Sequence, residues 1–219
     1  MKKIISYSLW GDKEIYLAGI IKNYELINNY FNDYKMRVYV DSKYKNKSYL
    51  YSISQLEIKE IEYLGLYHGM YWRFFAFEDC DVVLPRDLDS RITIREIELI
   101  RQWEKLTKSF FVIRDHPLHK MPIMGGMWGG RNGLKDIQAL ITKYGRFLEY
   151  GDDQQFLQSY IFPIIKNDCL EFSSNGNFYF DNRIFFSKSK DGEFIGERIG
   201  KNEMPLYLND RIINKGSIL

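Results

Sequence analysis

Asp87 and Asp89 stand two residues apart just after a short apolar run, Asp81-Val82-Val83-Leu84, that stops at Pro85. In an extended backbone, residues i and i+2 point to one side, so both carboxylates face the same way. Two hard oxygen ligands on one side suit Mg²⁺ or Mn²⁺, ions that commonly keep coordination positions for substrate phosphates. Arg86 and Arg91 flank the acids, so anion- and cation-binding groups share six residues of chain. That mixture fits a metal-bridged diphosphate better than a structural ion. Asp-x-Asp alone is a weak pattern, because most such pairs among 29 acidic residues are solvated turn residues. Its place at the carboxyl end of a buried strand, where α/β sheets put their ligands, strengthens it. A second acidic group, Asp152-Asp153-Gln154-Gln155, opens a helix, and the helix dipole is enough to account for one of those acids.

The surrounding pattern supplies elements to position these groups. Ile4 to Leu9 reads as a strand, the turn Trp10-Gly11-Asp12 ends it, and Asp12 is the expected N-cap of a helix over 13–31 carrying Ile15, Ala18, Ile21, Tyr24, Ile27 and Tyr30. A second strand, Arg37 to Val40, ends in Asp41. Strand, helix and strand with a terminal acid is the opening of a nucleotide-binding α/β unit. Tyr7-Ser8-Leu9-Trp10 has neither G-x-G-x-x-G nor G-x-x-x-x-G-K-[ST] spacing, which argues against a nicotinamide enzyme and a P-loop NTPase. A short helix over 48–55 and a strand over 58–63 follow. Residues 69–77 read as an aromatic helix in which Arg73 must find an anion or carbonyls for its five donors. Thr93 and Glu96 form the capping box of a helix running to about Thr107. Ser109 to Ile113 is another buried strand. It leads into Arg114-Asp115-His116-Pro117-Leu118-His119, whose H-x-x-H across a proline is a poor metal pair. Five glycines between Ile123 and Gly133 allow close approach of backbone to a ligand, or a mobile lid. A helix over 134–144 precedes the second acidic group. Phe178-Tyr179-Phe180 and Ile184-Phe185-Phe186 read as strands paired around the turn Asp181-Asn182-Arg183. This order predicts a single α/β domain, with a core over 1–165 and a C-terminal elaboration over 166–219.

Composition narrows the class. With 45% hydrophobic and 27% charged residues the chain is expected to be an ordinary soluble globular protein. A net charge of +2, with basic residues interspersed among acids, gives no nucleic-acid footprint. Cys80 and Cys169 are too few for a disulfide framework, so free thiols in a reducing, cytoplasmic compartment are expected. The apolar run after Met1-Lys2-Lys3 breaks at Gly11, as a strand does and a leader does not. No window approaches 18 apolar residues, so no membrane span is expected.

Asp87-Leu88-Asp89 after a hydrophobic strand, with the opening Ile4-Ile5-Ser6-Tyr7-Ser8-Leu9-Trp10-Gly11, resembles the GT-A class of metal-dependent, nucleotide-sugar glycosyltransferases over about residues 3–165. Within it, the small bacterial and large-DNA-virus enzymes that decorate surface glycans are the nearest type. The resemblance implies a Rossmann-like mixed sheet flanked by helices, a divalent cation on Asp87 and Asp89, and a nucleotide-sugar donor, a UDP-sugar first, with a glycan acceptor. The transferred unit is expected to be a hexosyl or deoxyhexosyl group. It also implies nucleoside contacts from Tyr7, Ser8, Leu9, Trp10 and Asp41, and donor contacts from Arg73, Arg86 and Asp87. Gly125, Gly126, Met127 and Trp128 would lie along the transferred sugar. Asp152 or Asp153 would deprotonate or orient the acceptor hydroxyl, with retention or inversion left open. A nucleotidyltransferase of the sugar-phosphate pyrophosphorylase kind is the first rival reading, although Leu9-Trp10-Gly11-Asp12 is a poor version of its basic loop. A non-catalytic nucleotide- or carbohydrate-binding module is the second.

Overall fold

The computed structural model describes residues 1–11, 14–62, 67–176 and 178–216. Eight strands form one mixed sheet: β1 (Lys3–Leu9), β2 (Lys35–Asp41), β3 (Glu57–Ile61), β4 (Val82–Arg86), β5 (Phe110–Arg114), β6 (Trp128–Arg131), β7 (Cys169–Ser173) and β8 (Asn182–Phe185). Their order is β3-β2-β1-β4-β6-β5-β7-β8. Every pairing is parallel except those of β6, which runs antiparallel to both β4 and β5. The helices are α1 (Glu14–Tyr30), α2 (Lys47–Tyr51), α3 (Ile94–Glu104), α4 (Ile137–Tyr144), α5 (Asp152–Phe156), α6 (Phe162–Ile165) and α7 (Leu208–Gly216). The protein is thus an α/β fold with a mixed sheet between helices. None of the described helices is long and apolar enough to cross a membrane.

Two hydrophobic layers cover the two faces of the sheet. One gathers Ile20 and Ile27 of α1 with Ile97, Ile100 and Trp103 of α3. The other gathers Phe74 and Phe77 with Ile137, Ile141 and Phe156. Strand periodicity divides β1 between them, with Ile5, Tyr7 and Leu9 in the first layer and Ile4 in the second. The chain leaves β1 toward β2 and β3 on one side and returns as β4 on the other. The carboxyl ends of β1 and β4 therefore flank a topological switch point, where open α/β sheets form their ligand crevice.

Several local expectations change in three dimensions. Residues 72–78 form a 3₁₀ helix, Trp72–Glu78, whose period of three sets Phe74 and Phe77 one above the other. Both rings lie against Trp128, at centroid distances of 5.8 and 5.0 Å. Pro85 lies inside β4 instead of ending it. It is in register with Ser6 of β1, while on its other side β6 pairs only with Val82 and Val83, which leaves an edge where a missing N–H is tolerated. Thr93 does cap α3, accepting the Glu96 N–H at 3.1 Å. The Glu96 carboxylate, however, binds Arg86 and does not close the box. Residues 178–186 are not a hairpin. The N–H groups of Tyr179 and Phe180 are held by buried Glu171 Oε2 at 2.9 and 3.1 Å, and β8 then pairs parallel with β7. The sheet accordingly continues past residue 165 into the C-terminal segment. The proposed cap Asp12 and the strand end Tyr63 lie outside the described residues. Cys80 and Cys169 are both buried free thiols.

Candidate active site

At the switch point lies an open cavity of about 280 Å³ whose walls include Ser8, Trp10, Arg73, Asp87, Asp89 and Asp153. Gly125, Gly126, His119, Tyr150, Phe194 and Arg198 complete much of its surface.

The Asp87–Asp89 loop is a tight turn rather than an extended segment. Ser90 closes it, its N–H and Oγ–H both donating to the Asp87 carbonyl at 3.3 and 3.0 Å, while Leu88 turns into the core. Helix α1 holds this turn from behind. Asn23 donates to the Ser90 carbonyl at 2.9 Å and accepts the Ile92 N–H at 3.0 Å. One turn earlier, a Cβ on Gly19 would overlap the Leu88 carbonyl oxygen and come within 2.9 Å of its carbon. The loop that carries the acids is thus fixed by two small side-chain requirements on a distant helix.

Arg73 organises the acids. Its backbone is gripped by β1: Ser8 Oγ accepts the Arg73 N–H at 2.9 Å, and Ser6 donates to the Arg73 carbonyl. The two hydroxyls share a strand face because they are two residues apart. From this anchor the guanidinium binds Asp87 with Nη1 and Asp153 with Nη2, the latter at 2.8 Å. Gly125 and Gly126 close over the pair: a Cβ on Gly125 would lie 2.9 Å from Asp153 Oδ2, and one on Gly126 would lie 2.8 Å from Asp87 Cγ. Their role is the close approach that only glycine permits.

Asp89 faces Arg198 from the C-terminal segment, its carboxylate accepting from Nε at 2.8 Å. Burial and the neighbouring charge of Asp87 push the Asp89 carboxyl above its ordinary value, against the pull of Arg198. Burial likewise raises Asp153, opposed by Arg73. Asp87 and Asp89 both line the cavity, and two carboxylates on one cavity are a donor set that a hard divalent cation can use when substrate phosphates complete its shell. Among the described residues no three His, Cys, Asp or Glu side chains gather into a closed cage.

Other sequence candidates lie elsewhere. Tyr7 and Leu9 sit in the α1 layer because alternation along β1 turns them away from Ser8 and Trp10. Arg86 is buried on Glu96 and on the carbonyls of Pro85 and Trp128, the last two at 2.6 Å each. Asp41 accepts the Lys43 N–H at 2.9 Å in the turn after β2. Trp128 is a core ring, stacked on Phe77, while Met127 lines the cavity. Arg91 ties the acidic loop to Glu203 and to the carbonyls of Leu88 and Ser90. Asp152 points away from the cavity, its Oδ2 accepting the N–H groups of Leu148 and Glu149 at 2.8 and 3.0 Å.

His116 and His119 each have Nδ1 occupied by a backbone N–H. His116 Nδ1 accepts the Leu118 N–H at 3.1 Å, so Nε2 carries a proton, which it gives to the Asp210 carbonyl at 2.9 Å. His119 Nδ1 accepts the Asp115 N–H at 3.2 Å, again placing the proton on Nε2. Burial, with His116 and Arg114 nearby, pushes His119 down to about 3. Neither ring offers a lone pair to a metal in this arrangement. Tyr150, Phe194 and Arg198 were not legible as site residues, since they come from loops whose course depends on the whole fold.

No protein-family model and no curated protein matches this sequence. Solved structures do. The chain is similar to a glycosyltransferase involved in the glycosylation of the major capsid of PBCV-1, at 14% identity and a TM-score of 0.45 over 84% of this chain and 81% of that one. It is similar to a mannosyltransferase from Pyrobaculum calidifontis solved in complex with GDP-Man and Mn²⁺, at 10% identity and a TM-score of 0.49 over 87% of this chain and 58% of that one. It is also similar to 4-diphosphocytidyl-2C-methyl-D-erythritol synthase from Anaerococcus prevotii, at 10% identity and a TM-score of 0.45 over 98% and 97% of the two chains. These are likenesses of chain course, and the chemistry of the cavity stands on its own residues.

Proposed function

We propose that this chain is a metal-dependent glycosyltransferase that moves a sugar from a nucleoside-diphosphate sugar, with a UDP-sugar the first candidate, to a hydroxyl of a glycan or similar acceptor. One observation carries the reading: Asp87 and Asp89 share a cavity wall with Asp153 at the carboxyl ends of β1 and β4, and Arg73 fixes Asp87 against Asp153. The charge balance supports it. Four acids line the cavity, Asp87, Asp89, Asp153 and Asp210, against two guanidiniums, Arg73 and Arg198, both already engaged. A diphosphate entering alone would meet net negative charge, which a divalent cation on Asp87 and Asp89 would offset. Mg²⁺ or Mn²⁺ held there would supply Lewis-acid stabilisation of the departing diphosphate.

The protein's own groups have separable tasks. Trp10, packed edge-on against Tyr67 at 5.9 Å, offers an apolar wall for the nucleoside. Gly125 and Gly126 let the sugar approach the acids. Asp153, with its raised proton affinity, is the better placed of the two helix acids to take or orient the acceptor proton. Asp152 keeps the preceding loop in place.

The reading is tested by nucleotide release from a panel of UDP- and GDP-sugars, with Mn²⁺ or with EDTA. Metal-dependent release that Asp89→Asn abolishes supports it. Nucleotide binding without turnover of any donor points to a binding module instead.

A further inference from the structure

Of the two arginines in the cavity, only one is locked. Arg73 has a side chain 9% exposed and binds two carboxylates through different nitrogens. Arg198 has a side chain 43% exposed and binds Asp89 through Nε alone, with a long 3.5 Å contact from Nη1 to Tyr207 Oη. Its backbone, by contrast, is pinned to the acidic loop. Ser90 and Arg198 form an antiparallel bridge, the Ile199 N–H donates to the Asp89 carbonyl at 2.7 Å, and the Leu206 N–H donates to the Arg198 carbonyl at 2.9 Å. Behind it, Gly196 adopts φ +84° and packs so closely on Met127 that a Cβ would lie 3.3 Å from Met127 Cε and overlap its sulfur. A fixed Cα carries a half-exposed guanidinium that holds one carboxylate and lies 5.5 Å from the Tyr207 ring, so the side chain can change its carboxylate partner beside a fixed point.

Those partners are in conflict on the reading above. Arg198 occupies the same Asp89 carboxylate that a divalent cation needs, so the two compete. A cation that arrives with a diphosphate brings phosphate oxygens to the same wall, and a guanidinium fits these with paired hydrogen bonds. The Arg198 end of the pair is half exposed while Asp89 is largely buried, so the guanidinium leaves when a cation takes over the neutralising of that carboxylate.

We propose that Arg198 is a transferable counter-ion: it neutralises Asp89 when no divalent cation does, and it binds the diphosphate oxygens of the nucleotide once a cation holds Asp89. This rests on the glycosyltransferase reading and adds to it a second, C-terminal residue that recognises the diphosphate. The C-terminal segment thereby becomes part of the donor site rather than a cover over it.

The proposal predicts opposite shifts in two affinities. Mn²⁺ alone, and then whichever of UDP, GDP or CDP wild type binds at saturating Mn²⁺, are titrated calorimetrically into wild type, Arg198→Gln and Arg198→Lys. In Arg198→Gln, Mn²⁺ alone binds several-fold tighter because its competitor is gone, while the nucleotide binds about tenfold weaker. Arg198→Lys keeps the competing charge and the wild-type Mn²⁺ affinity, but with a point charge in place of a planar fork it loses part of the nucleotide affinity. Both affinities falling together in Arg198→Gln would make Arg198 a structural support and overturn the proposal, as would an unchanged Mn²⁺ affinity. Failure of wild type to bind any of the three nucleotides with Mn²⁺ overturns the parent reading itself, an outcome distinct from either.

Discussion

Arg73 holds Asp153 at 2.8 Å across 80 residues of sequence, joining the 3₁₀ helix before β4 to the first turn of α5. The same guanidinium holds Asp87, so the spacing between candidate metal ligand and candidate base is set by one side chain. Arg73→Met would leave the Asp153 carboxylate buried without its counter-ion. Removing one partner of such a pair costs roughly 3 kcal/mol, and urea denaturation reads this as a lowered midpoint. The double variant Arg73→Met/Asp153→Leu recovers much of that loss, because no buried unpaired charge remains and Asp87, 42% exposed, can be solvated. An additive double variant would contradict a direct pairing.

The glycines predict two distinct failures. In Gly126→Ala the new methyl strikes the Asp87 carboxylate, which is 42% exposed and can swing from Arg73 toward solvent. Folding stability therefore changes little, while Mn²⁺-dependent nucleotide binding falls by at least about tenfold. In Gly19→Ala the methyl strikes the Leu88 backbone, which cannot rotate away, so stability falls by roughly 1–3 kcal/mol. Parallel melting and binding measurements separate the two, and equal stability losses would sink the distinction.

What the sequence showed and what it hid follow from the range of the interactions. Asp87-Leu88-Asp89 and the buried run before it were legible because strand, loop and acids are contiguous. Arg73 was legible because a guanidinium among aromatics needs a charged partner. Proximity in sequence groups Tyr7 and Leu9 with Ser8 and Trp10, but strand alternation sends the two pairs to opposite faces. Arg86 was read by proximity to the acids, but it turns into the core to meet Glu96, ten residues away. Arg198 reaches Asp89 across 109 residues, a pairing that no local pattern announces. The β7–β8 pairing was hidden for the same reason, because buried Glu171 draws in the chain that propensity alone would fold into a hairpin.

Asp152 and Asp153 are adjacent in sequence but face different partners, the N–H groups of Leu148 and Glu149 and the Arg73 guanidinium. Asp153→Asn keeps the size of the side chain and lowers turnover by about a hundredfold or more if its carboxylate takes the acceptor proton. Asp152→Ala removes the acceptor for two backbone N–H groups, lowering stability by roughly 1–3 kcal/mol with kcat per folded molecule little changed. Steady-state kinetics beside denaturation curves decide the matter, and the reverse pattern would exchange the assignments.

His119 gives a pH dependence with a defined sign. Its folded value, about 3, lies below the ordinary 6.5, so between these values the unfolded chain binds more protons than the folded one. The stabilising effect is full above about pH 6.5 and is lost as the pH falls toward 3. His119→Gln, which can still accept the Asp115 N–H, should flatten the decline in stability between pH 7 and pH 5. Superimposable pH–stability curves for variant and wild type would show that His119 is not held neutral by burial.

The central claim is a divalent cation shared between Asp87, Asp89 and a nucleoside diphosphate. Electron paramagnetic resonance of Mn²⁺, titrated with protein and with UDP, GDP or CDP, measures that ternary complex directly. The account predicts Mn²⁺ bound by wild type in a manner strengthened by one of these nucleotides, and lost in both Asp87→Asn and Asp89→Asn while the variants remain folded. Equal, nucleotide-enhanced Mn²⁺ binding by wild type and both variants would contradict it.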